Sequence, residues 1–181
     1  MKIRRSNETD RAAIEGIHRS AFGQDQGEEI VELVNDLFDD ETAKPLLSLV
    51  AETGGKRVGH ILFTAVRIQP GDQLVSARIL APLAVSGDFQ GGGVGAALIR
   101  EGLKQLAESG VGLVFVLGHP GYYPKFGFQT AGLVGLHEPH PIPSEHADAW
   151  MVQELKAGVI GSAEGTVQCS EVLNQPRHWG E

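Results

Sequence analysis

Seven consecutive residues, Gln90, Gly91, Gly92, Gly93, Val94, Gly95 and Ala96, have types and spacing suited to holding an anion. The stretch before them, Leu74 to Val85, is rich in Val, Ile and Leu and reads as a strand. After them, Ala96, Ile99, Leu103 and Leu106 recur at helical spacing. A glycine turn between strand and helix points several backbone N–H groups at one spot, and the helix dipole adds positive potential there. Without Cβ atoms, a large anion can approach the main chain closely. The ligand chemistry this predicts is a phosphate.

Several phosphate motifs compete for this turn. The mononucleotide phosphate loop needs Gly-Lys-Ser/Thr, and no Lys follows the glycines. The dinucleotide fingerprint is matched by Gly91, Gly93 and Ala96, but it expects an acidic residue about twenty positions on. The following strand, Val111 to Leu117, has no carboxylate, which argues against a nicotinamide dinucleotide.

The elements that must position the turn follow in order. Ile3 to Arg5 is a short strand, and Asn7 with Asp10 forms a helix cap ahead of Ile14, Ile17, Ala21 and Phe22. A second helix covers about 28–38. Strands at 46–52 and 57–68 are joined by Thr53-Gly54-Gly55-Lys56, and a turn at Pro70-Gly71-Asp72 leads to the strand at 74–85. Segments at about 128–136 and 149–155 complete a mixed sheet. Beyond residue 137 the chain is proline-rich; His137, His140 and His146 lie in a surface loop with no element to converge them on a metal. The last dozen residues, with Trp179, form a packed arm or a loose tail.

The 181 residues suit one domain, and the single Cys169 excludes an internal disulfide framework. No signal peptide or membrane span is visible, so a soluble cytoplasmic protein is expected. The net charge of −8 matches residues 25–41, which carry eight carboxylates (Asp25, Glu28, Glu29, Glu32, Asp36, Asp39, Asp40 and Glu41) and no Lys or Arg. No basic footprint for nucleic acid is present. The acidic run reads as the solvated face of a helix whose other face is Ile30, Val34, Leu37 and Phe38. The alternative is that it attracts a cationic amine.

Gln90-x-x-Gly93-x-Gly95 resembles the Gln/Arg-x-x-Gly-x-Gly/Ala signature of the GNAT superfamily of N-acetyltransferases, and Tyr123-Pro-Lys-Phe-Gly127-Phe128 resembles that family's Tyr-x-x-x-Gly-Phe motif. With the opening strand and helix, the resemblance spans about 1–136. It implies an α/β fold: a mixed, mostly antiparallel sheet flanked by helices, with parallel fourth and fifth strands splayed apart. The implied domain covers 1–160, with 161–181 as a C-terminal extension.

The resemblance implies an acetyl-CoA-dependent N-acetyltransferase that needs no metal, acting by direct attack of an amine in a ternary complex. The turn at 90–96 would hold the pyrophosphate, and the backbone at Leu83, Ala84 and Val85 would hold pantetheine and supply an oxyanion donor. Pro82 supports a break there, because proline cannot donate a ladder bond. Tyr123 matches the family's general acid; its neighbour Tyr122 is out of register. The stretch 76–87 lacks the Glu that many relatives use as base, leaving His119, Glu28 or Glu29. Gly118 to Tyr122 is too short and breaker-rich for the helix that relatives place before the tyrosine. A covalent route through Cys169 is not expected. The acceptor would be a small-molecule amine or a protein amine, and a homodimer is possible. The missing carboxylate leaves open a non-catalytic acyl-CoA-binding module.

Overall fold

The computed structural model describes residues 1–70 and 75–180. Of the turn expected at Pro70-Gly71-Asp72, all but Pro70 lies outside the described residues, as does Leu74. The cap at the N-terminus forms as its spacing predicts: Asn7 accepts from the Thr9 N–H at 2.9 Å, and Asp10 accepts from the Asn7 N–H at 2.8 Å. Asp10 is completely buried and also binds Arg4 and Arg57, both at 2.8 Å. One carboxylate thus ties β1 (Lys2–Arg5), the start of α1 (Arg11–Asp39) and β3 (Lys56–Gln69) together.

The two helices expected before the sheet meet at a single residue. Gly23, at φ 79° and ψ 179°, breaks α1 in a conformation open essentially to glycine alone. The halves lie side by side: Arg11 donates to Asn35 at 3.0 Å, and Asn35 donates to Glu15 at 3.2 Å. Ile14, Ile17, Val31, Val34 and Leu37 are buried beneath them. Asp25, Glu28, Glu29, Glu32 and Asp36 face solvent, as an amphipathic pattern requires.

The remaining strands are β2 (Leu47–Thr53), β4 (Ala77–Val85), β5 (Leu113–Leu117), β6 (Gln129–Thr130), β7 (Leu136–His137), β8 (Trp150–Glu154) and β9 (Gly165–Gln168). Their order is β1-β2-β3-β4-β5-β8-β6, with β9 paired to the far end of β3 and to β7. All pairs are antiparallel except β4–β5 and β7–β9. This is the mixed, mostly antiparallel sheet with parallel fourth and fifth strands that the sequence led us to expect. Parallel neighbours need a crossover, and α2 (Val94–Glu108) provides it. Leu98, Ile99, Leu103 and Leu106 bury that helix on the sheet. A Cβ at Gly102 would stand 2.3 Å from the Phe63 ring, so the helix rests directly on β3.

The strand expected at 128–136 does not form as one piece. β6 and β7 are two residues each, separated by a 3-10 turn at Ala131–Val134 and by Gly135 at φ +80°. Ala131 is fully buried, and the reversal sends β6 to β8 and β7 to β9. Alternation in the sequence could not distinguish two short bridges from one strand.

The last residues are a packed arm. Val167 and Leu173 are buried, and Trp179 sits against Trp150 with ring centroids 5.3 Å apart. The Trp179 indole donates to the Leu173 carbonyl at 2.9 Å. Among the described residues, no helix is long and apolar enough to cross a membrane.

Candidate active site

The parallel strands stay together only briefly. Their register runs from Ala77 opposite Leu113 to Leu80 opposite Val116 and stops. Beyond it, Leu83, Ala84 and Val85 are paired with β3 alone. The β3–β4 register shifts between Ile61 and Phe63, beside Pro82. An irregularity of this kind bends the strand and ends pairing, which is what a proline inside a strand brings about.

A cleft of about 780 Å³ opens at the splay. Leu83, Ala84, Val85, Gln90, Gly91, Gly93, Val94, Gly95 and Ala96 all line it; Gly92 is in the turn but not in the wall. Gly91 and Gly93 hold φ +81° and +85°, a region where a side chain is strained. α2 begins immediately afterwards, so the N–H groups of Val94, Gly95 and Ala96 have no acceptor within the helix. The Gln90 side-chain amide donates to the Val85 carbonyl at 2.9 Å, fastening the turn to the end of β4.

Tyr122 and Lys125 also belong to this wall, and the sequence did not single them out for it. A Cβ on Gly95 would lie 3.3 Å from the Tyr122 hydroxyl, so the phenol stands over the glycine turn. Lys125 also lines the cleft, its ammonium 4.5 Å from the centre of the Tyr122 ring. The helix N-terminus and the lysine together make an electropositive pocket with room for a bulky anion.

A second cavity, of about 420 Å³, adjoins the first; both are lined by Phe22, Leu83 and His119. Tyr123 belongs to its wall, with Gly118 against the ring. Burial, with Tyr122 adding to it, pushes the Tyr123 phenol up to about 12, so it remains protonated at neutral pH. His119 is exposed at the junction, and the Tyr122 and Tyr123 amides bond back to its carbonyl at 3.0 and 3.3 Å. Glu28 is turned away to Arg19, and Glu29 faces an outer groove. Cys169 is buried in the other half of the core, and its thiol is pushed up to about 12 by burial.

A buried polar chain runs beneath this site. Ser6 donates to Ser48 at 2.6 Å, Ser48 meets His60 Nε2 at 2.8 Å, and His60 Nδ1 meets His18 Nε2 at 2.8 Å. His18 stacks on Phe22, with centroids 6.1 Å apart, and its Nδ1 has no hydrogen-bond partner among the described residues. Burial lowers His18 to about 4 and His60 well below its ordinary value, so both rings are neutral. The only sign in the sequence was His18 falling on the face of Ile14 and Ile17.

Comparison with known proteins agrees with this geometry. A family model for the acetyltransferase (GNAT) domain matches residues 2–131. An uncharacterized N-acetyltransferase of Escherichia coli K12, YjhQ, is 42% identical over 167 residues, covering 92% of this chain and 90% of its own. The crystal structure of E. coli YhbS, a GNAT family N-acetyltransferase in complex with CoA, superposes with a TM-score of 0.84 at 30% identity, covering 96% of this chain and 92% of that one. A GNAT acetyltransferase of Brucella melitensis in complex with acetyl-CoA gives 0.73 at 29% identity, covering 95% and 97%. By sequence, fold and the glycine turn at the head of α2, this chain belongs to the GNAT family of N-acetyltransferases.

Proposed function

We propose that the protein transfers the acetyl group of acetyl-CoA to a primary amine by direct attack in a ternary complex. The observation that carries this reading is the junction of two cavities at Leu83 and His119: one has phosphate-binding geometry, and the other holds a protonated tyrosine. The first cavity fits the cosubstrate. Its glycine turn leaves the helix N–H groups free for the pyrophosphate, and the absence of a Cβ at Gly95 keeps the space below Tyr122 open. Lys125 adds a compensating charge.

In this scheme the backbone from Leu83 to Val85, unpaired with β5, holds the pantetheine arm and donates to the carbonyl oxygen as it gains charge. The amine nitrogen bonds to the carbonyl carbon, and the carbon–sulfur bond breaks. Tyr123 gives its proton to the departing thiolate. His119, which lines both cavities, takes the proton that the amine loses, and that proton balances the one given up by Tyr123. The products are an amide and free CoA.

The test is acceptor-dependent release of thiol from acetyl-CoA across a panel of amines, with hydrolysis lacking acceptor as the blank. Calorimetric binding of CoA is measured separately. Release above the blank supports transfer; tight CoA binding with no release from any amine overturns it.

A further inference from the structure

The cavity beside the proposed transfer point has an apolar wall, built from side chains such as Phe22, Ile30, Leu33, Leu80 and Trp179. Its titratable lining is His119, Tyr123 and His178, and the donor cleft adds Tyr122 and Lys125. Among the described residues, no Asp or Glu lines either space. The permanent charge in the lining is therefore the Lys125 ammonium, which has the same sign as a protonated amine.

The carboxylates of the neighbouring helix are committed elsewhere. Glu28 pairs with Arg19, and Glu15 pairs with Arg19 and accepts from Asn35. Glu29, Glu32 and Asp36 are exposed and line an outer groove together with Arg177. That groove shares only Leu33 and His178 with the cavity.

An alkylammonium entering the cavity would give up its water and receive no anion in exchange, and Lys125 would repel it. The proton count of the transfer points the same way. A neutral amine loses one proton as its nitrogen bonds to the carbonyl carbon and the carbon–sulfur bond breaks; His119 receives it, and Tyr123 supplies the thiolate. An ammonium loses two, and the second needs a base that the described lining does not hold.

We propose, resting on the transfer reaction above, that this cavity takes its acceptor as an uncharged amine on a compact apolar body, the class to which weakly basic aromatic amines belong. The nitrogen lies toward Leu83 and His119, which the cavity shares with the donor cleft, and the apolar body lies against Ile30, Leu33 and Trp179. A volume of about 420 Å³ accommodates a single substituted ring. A polyamine or amino sugar brings several charges against a wall that cannot pair them.

The isomers p-toluidine and benzylamine test this, because they match in size and differ in charge at neutral pH. KM is measured for each, or a competitive inhibition constant where turnover is slow, at several pH values between 7 and 9. If only the uncharged form binds, the ratio of the benzylamine constant to that of p-toluidine falls about tenfold for each unit of pH, as the neutral fraction of benzylamine rises. Using p-toluidine as the reference cancels titration of the protein's own groups. Leu33→Phe, which fills part of the cavity, raises both constants while the KM for acetyl-CoA is unchanged. A ratio that does not change with pH, or spermidine as the best wild-type acceptor, overturns the uncharged acceptor; unchanged constants in folded Leu33→Phe overturn its place in this cavity. These results leave transfer itself standing. Absence of thiol release with these amines and the wider panel, despite CoA binding, overturns the transfer reaction and this inference together.

Discussion

The donor cleft and the cavity beside it differ in how they are assembled from the chain. Nearly all of the donor cleft comes from two short stretches, 83–96 and 119–125, in which strand end, glycine turn and helix start follow one another directly. The second cavity draws Phe22 and Leu33 from α1, Pro82 from β4, Tyr123 from the segment after β5, and His178 and Trp179 from the C-terminal arm. The first is a backbone site, held by N–H groups that any sequence with the right glycines can present. The second is a side-chain site, and each wall residue must be delivered by a different part of the core. Cosubstrate binding and acceptor choice should therefore be separable by mutation.

The largest expected effect is on the acceptor side. Trp179→Ala removes a buried ring packed on Trp150 and should cost about 3–5 kcal/mol of stability, read from denaturant unfolding. In the folded fraction the acceptor KM rises while CoA affinity is retained. A parallel loss of CoA binding would mean that the two regions are not independent. Tyr123→Phe comes next: kcat should fall about a hundredfold, with CoA affinity unchanged by calorimetry. Equal activity in Tyr123→Phe and wild type would remove the proposed acid.

On the donor side, Gly93→Ala places a side chain at φ +85°, which costs about 1–2 kcal/mol. CoA affinity should fall about tenfold while the preference among amines is maintained. A changed preference would contradict the separation. The smallest effect concerns the histidine pair under Phe22. His18 is lowered in the fold to about 4 from an ordinary 6.5, so the unfolded chain takes up its proton first as the pH drops. The stabilising contribution is complete above about pH 6.5 and is lost progressively toward pH 4. Going from pH 7 to 5.5 should cost about 1 kcal/mol through His18 alone. His18→Phe should flatten that part of the stability profile, and an identical slope in the variant would show that His18 does not carry it.

The same division explains which features could be read in advance. The cap at Asn7 and Asp10, the strands flanking Thr53 to Lys56, the glycine turn and the face of α2 are each specified by neighbours within a few residues. The expectation of a splay near Pro82 came from a single side chain that cannot join a ladder. Where expectation and structure differ, the deciding contacts are distant. Two short bridges replace the strand at 128–136 because β8 and β9 each take a different part of it. The acidic helix, by contrast, points its carboxylates outward as its amphipathic pattern predicts.

Asp10 shows both levels in one residue. Its place three positions after Asn7 makes it a capping residue in any chain with that local pattern. That it also binds Arg4 and Arg57 with no exposure to solvent depends on β1 and β3 arriving at the same point. The sequence alone determined the local geometry that binds a phosphate, because hydrogen-bond spacing and glycine conformation act over a few residues. The pairing of His18 with His60, the exposure of Tyr122 over Gly95, and the meeting of Phe22 with Trp179 at one cavity were decided by tertiary structure. Such contacts join segments far apart in the chain, and only packing of the whole core selects them.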